Sequence, residues 1–335
     1  MNPALVQEPD ARAGVSADLF AAIAPDLERA EEIFSAALHS PQPAVTRLLD
    51  HLAHYRGKRL RPALLLLTAR ACGNITPAHH VLAAVVEMIH TATLVHDDVL
   101  DTATVRRHVP TVNARWGNQA SILLGDYLFT HAFHLTSTLD DPRACRLIGE
   151  ATNRVCAGEL SQVCERGNLD LSEDDYFRII DAKTAELTSC CCMLGALYSG
   201  LPAIDVDCLA RYGRALGIAF QIADDVLDLV GDEDATGKSL GTDLDQQKLT
   251  LPVIHLLNQL SRDEKDRLKS VLMGSGNHKR TKLLPQLEAS GALDYARRRA
   301  EGHAAQAQSE LRCLPASPFK LILDHLPRRV VHRRA

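Results

Sequence analysis

The spacing of apolar residues along the chain predicts helices almost throughout. Five long segments carry apolar side chains three and four positions apart, as one face of a helix requires, and they cover residues 81–101, 119–139, 145–165, 176–199 and 207–230. The first contains no Gly or Pro and is apolar over most of its surface, which is typical of a helix buried on most sides. No stretch alternates apolar and polar residues over a useful strand length. The pattern therefore predicts one all-α domain of many helices.

The breaks between helices are marked by Gly and Pro. They are predicted at Val109-Pro110, Asp141-Pro142, Gly167-Asn168, Gly200-Leu201-Pro202 and from Gly231 to Gly241. None of these breaks is long enough to separate two domains. Residues 1–15 are polar and irregular, so they are predicted to form a flexible N-terminal tail ahead of a helical domain over residues 16–335.

Composition supports this prediction and narrows the function. Hydrophobic residues make up 46% of the chain and aromatic residues only 4%, a mixture that favours helices over sheets. A net charge of -5 argues against a nucleic-acid partner, which usually requires a basic protein. The nine cysteines have no zinc or disulfide spacing, the N-terminus does not resemble a signal peptide, and the apolar runs are too short for a transmembrane segment. We therefore expect a cytoplasmic protein with reduced thiols.

Two clusters of aspartates interrupt otherwise apolar segments. LVHDDVLD covers residues 94–101, and FQIADDVLDL covers residues 220–229. Asp97 and Asp101 are four positions apart and share one helix face, where like charges repel. Burying such carboxylates is costly unless a cation neutralises them, and Mg²⁺ often bridges one or two carboxylates to a substrate phosphate. The alternative is that these aspartates cap solvated helix ends or pair with Arg.

Basic residues alternate with the aspartate clusters along the chain. They are Arg56, Lys58, Arg59, Arg61, Arg106, Arg107, Lys183, Lys238 and Lys248. Arg binds phosphate through a planar fork and Lys as a point charge. Metal ions can hold one diphosphate while direct Arg and Lys contacts hold another. Because no Walker-type Gly-rich loop is present, a nucleotide is the less favoured ligand.

Several motifs together resemble those of the trans-isoprenyl diphosphate (polyprenyl) synthases. From about residue 50 onward the chain contains, in the family's order, GKRLRP, EMIHTATLVHDDVLDTATVRRHVPTVN, GDYLF, KTAEL, GIAFQIADDVLDL, TGKSLGTDL and KLTLP. The resemblance implies an isoprenoid synthase fold, a homodimer with ten or more helices per chain around a deep central cavity. It also implies an enzyme that condenses isopentenyl diphosphate with geranyl, farnesyl or geranylgeranyl diphosphate, using about three Mg²⁺ ions per active site.

The resemblance also assigns roles to individual residues. Carboxylates implied to hold Mg²⁺ are Asp97 and Asp101, with Asp98 in support, and Asp224, with Asp225 and Asp228 completing that site directly or through water. Contacts to the allylic diphosphate are implied for Arg106, Lys183, Thr184, Gln221, Lys238 and Lys248. The diphosphate of isopentenyl diphosphate is assigned to Lys58, Arg61, His90 and Arg107. The catalytic set within these groups is Asp97, Asp98, Asp101, Arg106, Lys183, Asp224 and Lys238.

The chain departs from the family pattern at three glycines. The usual Gly-Gly-Lys begins with Arg56, the usual Arg-Arg-Gly ends with His108, and Gln247 stands before Lys248 in place of Gly. Each replaces a conformationally permissive residue beside an implied phosphate contact. The three replacements are therefore expected to affect the backbone geometry of these loops, whereas the charged side chains of the motifs are retained. His90 is also ambiguous by itself, because a lone His on an apolar helix is commonly a core residue.

Product length is expected to depend on the helix that ends at Asp97. One turn of helix rises about 5.4 Å, close to one extended isoprene unit. The growing chain is expected to extend along this helix in a tunnel whose floor limits product length. Ala92 and Thr93 precede Asp97 by five and four residues, where short-chain enzymes of the family often carry an aromatic side chain as the floor. This chain has no aromatic there, so the tunnel is expected to be open at that point. Deeper floor candidates are Ile89, Met88 and Val85, together with Phe129 or Phe133. We expect a long-chain product of about C35 to C40, such as a quinone side chain.

Several alternatives remain at this point. A short-chain farnesyl or geranylgeranyl diphosphate synthase (about C15 to C20) would share the motifs. A class I terpene cyclase would not need the second diphosphate site. A non-catalytic subunit of a two-component synthase would tend to lose the aspartates of the two clusters. The tail LPRRVVHRRA is either a solvated basic end, a contact to the diphosphate entrance, or a peripheral membrane contact for product release.

Overall fold

Helices account for nearly all of the secondary structure. The computed structural model describes residues 20–55, 57, 59–231, 240–274 and 279–333. In chain order the α-helices are α1 (Ala24–Ala37), α2 (Pro43–Leu52), α3 (Leu60–Cys72), α4 (Pro77–Leu100), α5 (Val112–Trp116), α6 (Asn118–Ser137), α7 (Pro142–Cys164), α8 (Glu173–Ile180), α9 (Glu186–Tyr198), α10 (Ala203–Val230), α11 (Thr242–Asp245), α12 (Leu251–Gln259), α13 (Arg262–Met273), α14 (Lys279–Ala289), α15 (Ala292–Glu310) and α16 (Pro318–Val331). Short 3₁₀ turns cover Ala21–Ile23 and Leu311–Cys313.

The five long segments predicted from apolar spacing are all helical, and their ends follow local chemistry. Pro77 and Pro142 start α4 and α7, where a missing N–H costs nothing. The Asp141 carboxylate accepts a hydrogen bond from the Arg143 N–H and caps α7. Ser172 caps α8 by a reciprocal pair of bonds with Asp175. The single all-α domain predicted from the sequence is confirmed, and it contains more than ten helices.

One predicted helix contains an irregularity that the sequence pattern does not reveal. Residues 173–198 run continuously, but Asp181–Ala185 form a π-helical turn between α8 and α9. A π turn absorbs one extra residue and is often found at functional sites. Helix α7 crosses this turn at Gly158, where an added Cβ would lie 2.6 Å from the Lys183 backbone nitrogen. The glycine therefore lets α7 approach the π turn closely.

A very short hairpin follows α4, and its strands are too short for any sequence pattern to predict. Val105–Arg106 (β1) pairs antiparallel with Val109–Pro110 (β2). The two turn residues, Arg107 and His108, have φ values of 51° and 64°. Two consecutive positive φ angles are the requirement of a type I′ turn, which matches the twist of a hairpin. The hairpin thus folds the Arg-Arg-His motif back beside the end of α4.

Two apolar cores share one long helix. The first half of α10 contributes Leu209 and Leu216 to a core built with α3, α4, α9 and α16. The second half contributes Ile222 and Leu229 to a core built with α8 and α12 to α15. Because α10 belongs to both cores, its position is fixed along its whole length. The second aspartate cluster lies in the second half of this helix.

Helix α4 is the other structural axis of the protein. Among the described residues it alone is long and apolar enough to cross a membrane by length and composition. However, 67% of its most apolar window is buried inside the protein. Leu82, Val85 and Ile89 are completely buried in the first core. The helix is therefore placed as a core element that carries the first aspartate cluster at its C-terminal end.

The N-terminal tail and the cysteines were also subjects of prediction from the sequence. The predicted tail, residues 1–15, lies outside the described residues. The nine cysteines are all free thiols in the structure. Cys190, Cys191 and Cys192 are buried on α9, whereas Cys156 and Cys164 are exposed on α7.

Close approach of α9 and α10 generates a stability prediction. A Cβ at Gly213 on α10 would lie 2.5 Å from the Thr188 carbonyl oxygen on α9. We expect Gly213→Ala to lower the free energy of unfolding by about 1–3 kcal/mol, because backbone must shift to admit the methyl group. Urea unfolding followed by circular dichroism measures the change.

The matched control is Gly302→Ala on α15, where nothing lies within 4 Å of the new Cβ. This change should raise the free energy of unfolding by roughly 0.5–1 kcal/mol, since Ala is the better helix former. Equal effects of the two substitutions would contradict the close helix contact at Gly213.

Candidate active site

The first aspartate cluster lies at the C-terminal end of α4, and its middle residue faces inward. Asp98 is fully buried and accepts hydrogen bonds from Arg106 Nε at 2.7 Å and from Tyr55 Oη at 3.4 Å. Its backbone carbonyl accepts a bond from Asn113 at 3.1 Å. The carboxylate of Asp98 therefore holds Arg106 in place. This arrangement suits the supporting role predicted for Asp98.

Asp101 ends the same helix and is paired with two cations. Its Oδ1 atom accepts from Arg166 Nη2 at 2.8 Å and from Lys248 Nζ at 3.0 Å. Arg166 also donates to the Leu100 carbonyl, while its Nε atom is buried without a hydrogen-bond partner. The pair ties the end of α4 to the segment after α7 and to the segment before α12.

Asp97 shares its surroundings with an ion pair on the neighbouring helices. Lys183 donates to Glu159 at 2.8 Å and to Gln162 at 2.8 Å. Burial raises the pKa of Asp97, the charge of Lys183 opposes this rise, and the charge of Asp101 adds to it. Burial, followed by the charge of Asp97, also raises the pKa of Glu159. Negative charge is thus crowded at this end of α4.

The second cluster is held by neutral donors as well as by charge. Asp225 is buried, and its Oδ2 atom accepts from Tyr176 Oη at 2.6 Å. Its Oδ1 atom accepts from Gln221 Nε2 at 2.8 Å, and Gln221 in turn accepts from Thr184 Oγ1 at 2.7 Å. Asp228 accepts from the Thr242 hydroxyl at 3.0 Å.

Asp224 is approached by the C-terminal end of the described chain. Arg333 Nη2 donates to Asp224 Oδ1 at 3.0 Å, and its guanidinium lies 4.0 Å from the centre of the Phe220 ring. Arg333 Nε is buried without a hydrogen-bond partner. The end of the chain therefore reaches the second aspartate cluster, one of the alternatives considered for the basic tail.

Both clusters meet at the π turn. Lys183 lies beside Asp97 and Glu159, whereas its neighbour Thr184 is bonded to Gln221 of the second cluster. Burial opposes the charge of Lys183, but Asp97 and Glu159 outweigh it and raise the pKa of Lys183. Two consecutive residues thus connect two helices that are far apart in sequence.

A separate basic group surrounds His90. Burial, together with the charges of Arg61, Arg107 and Arg106, lowers the pKa of His90 well below its ordinary value. Burial also lowers the pKa of Arg61, whose Nε atom has no hydrogen-bond partner. The buried Glu87 carboxylate offsets part of this like charge, and a diphosphate is a further anion that such a group of donors suits.

Two of the three loops that depart from the family pattern have unusual backbone geometry, and the third departure, Arg56, lies outside the described residues. His108 and Gln247 both have positive φ angles, 64° and 58°, although neither is Gly. Arg107 donates to the Tyr55 carbonyl, and an added Cβ at Gly57 would lie 2.4 Å from its guanidinium. The left-handed backbone of His108 and Gln247 costs strain energy, typically about 1–2 kcal/mol per residue.

The candidate chain-length residues lie on the buried side of α4 and on α6. Ala92, Ile89 and Met88 are completely buried in the first core. Thr93 is partly buried and donates to the His90 carbonyl at 2.8 Å. Phe129 packs against the same core. Two further predicted contacts, Lys58 and Lys238, lie outside the described residues.

The carboxylates fit a hard divalent cation in chemistry. Within the described part of the chain, no group of three His, Cys, Asp or Glu side chains forms a ready cation cage. Mg²⁺ seldom uses such a cage, because it prefers a few carboxylates together with water and substrate phosphate. The donors are all oxygen atoms, and Asp97 lies close to both Asp101 and Glu159, so a cation would relieve the crowding of charge.

Sequence reasoning missed several side chains of this site. They are Glu159, Gln162, Arg166 and Tyr176. Glu159 and Gln162 are three positions apart on α7, a spacing that places both on one face. The shared face was the feature of the sequence from which Glu159 and Gln162 could have been identified. Nothing in the sequence alone distinguishes Arg166 or Tyr176 from other polar residues near helix ends.

Comparison with known proteins gives extensive similarity. A family model described as polyprenyl synthetase matches residues 42–287. Octaprenyl diphosphate synthase of Escherichia coli (strain K12) is 36% identical over 304 residues, covering 89% of this chain and 94% of the relative. The crystal structure of a decaprenyl diphosphate synthase from Rhodobacter capsulatus has a TM-score of 0.90 and 37% identity, covering 96% of this chain and 99% of that one. A polyprenyl synthase from Caulobacter crescentus CB15, complexed with calcium and isoprenyl diphosphate, has a TM-score of 0.90 and 32% identity, covering 97% and 100%.

The lowered pKa of His90 generates a prediction about pH. The unfolded chain takes up a proton at His90 as the pH falls through about 6.5, whereas the folded protein does not, so this residue destabilises the fold at low pH. We expect His90→Gln to recover roughly 1 kcal/mol of the stability that the native protein loses between pH 7.5 and pH 5.5. Urea unfolding at both pH values measures the difference, and identical pH slopes for the two proteins would contradict a neutral, buried His90.

Proposed function

Because the chain belongs to the polyprenyl synthetase family, we propose that it condenses isopentenyl diphosphate with an allylic diphosphate, head to tail, to make a long-chain all-trans polyprenyl diphosphate. The enzyme is a prenyltransferase of the long-chain class. The observation that carries the site assignment is the meeting of both aspartate clusters at Lys183 and Thr184. Geranyl, farnesyl and geranylgeranyl diphosphate are the proposed primers.

The proposed allylic diphosphate site lies between the two clusters. Arg106 is held by Asp98, Lys183 by Glu159, and Lys248 by Asp101. Thr184 and Gln221 supply neutral polar groups beside them, and Lys238 completes the proposed set. Because Arg106, Lys183 and Lys248 are already positioned by carboxylates, little ordering of these three side chains remains to be done when the anion binds.

The proposed site for isopentenyl diphosphate is the basic group around His90. Arg61 and Arg107 contribute to the electrostatic field that keeps His90 neutral. A neutral His can still donate one hydrogen bond to a phosphate oxygen. Lys58 is the further proposed contact. Arg106 lies near this group as well as near Asp98. The two diphosphates would therefore lie on either side of the hairpin that carries Arg106 and Arg107.

We propose Asp97, Asp101 and Asp224 as Mg²⁺ ligands, with Asp225 and Asp228 acting directly or through water, and about three ions per site. When bound, Mg²⁺ acts as a Lewis acid that neutralises charge on the departing diphosphate. The calcium and isoprenyl diphosphate in the Caulobacter crescentus structure support a divalent cation beside a diphosphate in this fold.

The chemistry follows from the positions of the charges. Arg106, Lys183 and Lys248 stabilise negative charge as the allylic carbon–oxygen bond breaks. The double bond of isopentenyl diphosphate attacks the resulting allylic cation and forms the new carbon–carbon bond. The product then loses a proton, for which the released diphosphate is the proposed base. The buried apolar side of α4 excludes water that would otherwise quench the cation.

The proposed product tunnel runs along α4 away from Asp97, through the apolar interior of the proposed central cavity. Ala92 places only a methyl group at the first turn, and Met88, Ile89 and Phe129, which belong to or pack against the same apolar core, are the proposed deeper walls. A product of about C35 to C40 corresponds to seven or eight isoprene units, and eight is the number in the name of the Escherichia coli relative. Isoprenoid biosynthesis, in particular the supply of quinone side chains, is the proposed role.

We also propose a cytoplasmic homodimer. The nine free cysteines suit a reducing compartment. Large apolar side chains are exposed on two helices, Leu123 on α6 and Leu160 on α7, and both are about two-thirds exposed (67% and 66%). Such exposed apolar surface is typical of a contact between subunits. Arg328 and Arg329 on α16 are the proposed peripheral membrane contact for product release.

The activity is tested with the purified protein, Mg²⁺, labelled isopentenyl diphosphate and farnesyl diphosphate, with products sized after phosphatase treatment. We expect a ladder of products that ends near C35 to C40, because the small Ala92 side chain offers no aromatic floor to the proposed tunnel. A stop at about C15 to C20 would identify a short-chain enzyme. No incorporation with any allylic primer would favour a cyclase or a non-catalytic subunit.

The direction of the tunnel is tested by Ala92→Phe. The aromatic ring would fill the first turn below Asp97, so we expect products shortened by at least about two isoprene units, since each helical turn matches roughly one unit. Ala92→Ser, which adds a single oxygen atom, is the matched control and should leave the product unchanged. Full-length product from a folded Ala92→Phe enzyme would refute the proposed tunnel direction.

A further inference from the structure

A chain of buried hydrogen bonds connects α8 to the proposed allylic site. Tyr176 is only 3% exposed and donates to Asp225 Oδ2 at 2.6 Å. Asp225 Oδ1 accepts from Gln221 Nε2 at 2.8 Å, and Gln221 Oε1 accepts from Thr184 Oγ1 at 2.7 Å. Tyr176 thus stands at one end of the chain, and Thr184 stands at the other.

The helix geometry explains how one segment supplies both ends. Tyr176 and Thr184 are eight positions apart, which in a regular α-helix of 3.6 residues per turn rotates one about 80° away from the other. The π turn at Asp181–Ala185 absorbs one residue, so the pair behaves like positions i and i+7, which share a face. Both side chains therefore point towards α10, one to Asp225 and the other to Gln221.

We propose that Tyr176 is a positioning residue for the allylic diphosphate, acting through Asp225 on Gln221 and Thr184. Both oxygen atoms of Asp225 are occupied, one by the phenol and one by the amide. With its N–H₂ group committed to Asp225, Gln221 presents its oxygen to Thr184. The alternative orientation of the amide would set its oxygen against the Asp225 carboxylate, and the bond to Asp225 would be lost. The Tyr176 hydroxyl keeps the carboxylate turned so that this orientation persists.

The substitution that tests this inference is Tyr176→Phe, which removes the hydroxyl and keeps the ring. The matched control is Tyr212→Phe on α10, because Tyr212 is also fully buried and donates one bond, to the Leu323 carbonyl at 2.8 Å. Both variants lose one buried hydrogen bond, so both should lose a similar amount of thermal stability.

Only Tyr176→Phe should change the handling of substrate. Loss of a hydrogen bond to a charged group leads us to expect a rise of at least about fivefold in the KM for farnesyl diphosphate, at saturating Mg²⁺. The KM for isopentenyl diphosphate should be unchanged, since Tyr176 does not contact the His90 group. The dissociation constant of a non-ionisable thiolo analogue of farnesyl diphosphate, measured by calorimetry, should rise by the same factor.

The outcomes separate the inference from the function on which it rests. If Tyr176→Phe matches Tyr212→Phe in both KM values, or raises both KM values equally, Tyr176 has only a structural role and the inference is overturned. If the native enzyme neither incorporates isopentenyl diphosphate nor binds the analogue, the proposed function fails, and the inference fails with it. Should Tyr176→Phe not fold, Asp225→Asn replaces it, because breaking the chain at this next link predicts the same KM difference.

Discussion

The site is organised by the cost of burying carboxylates on apolar helices. Asp98, Asp225 and Asp228 are almost completely buried on two helices that also form the protein core. A buried carboxylate requires hydrogen-bond donors or opposite charge around it. The donors come from segments that are distant in the sequence, so satisfying these few side chains brings the hairpin, α8 and α11 to the two helices.

Internal cations meet much of this requirement. Arg106, Arg166, Lys248 and Arg333 each lie within 3.0 Å of a carboxylate oxygen of the two clusters. Part of the negative charge is therefore balanced by side chains of the described chain, and the crowding around Asp97 and Glu159 remains. The anion that binds later meets cations that are already oriented, and the metal ion meets carboxylates that can exchange one partner for another.

The sequence predicted the two aspartate clusters and most of the helices, but not all of the charged side chains that surround the clusters. Asp97, Asp101 and Asp224 were identifiable because carboxylates are rare on apolar helices. Tyr176 was not, because an ordinary tyrosine becomes informative only when its partner is known. Sequence reasoning missed Arg166 for the same reason. It missed the π turn because a single extra residue leaves the apolar spacing unchanged on both sides of the turn. His108 and Gln247 show a further limit, since their backbone conformation is imposed by the surrounding fold rather than by their own preference.

The π turn also has a meaning for how such a site can change over generations. Because one residue bulges from an otherwise continuous helix, losing a single codon there would restore a regular helix without rotating α8 or α9. The scaffold would persist, but Lys183 and Thr184 could no longer reach two different clusters from adjacent positions. The length of this segment therefore matters to the site as well as the identity of its residues.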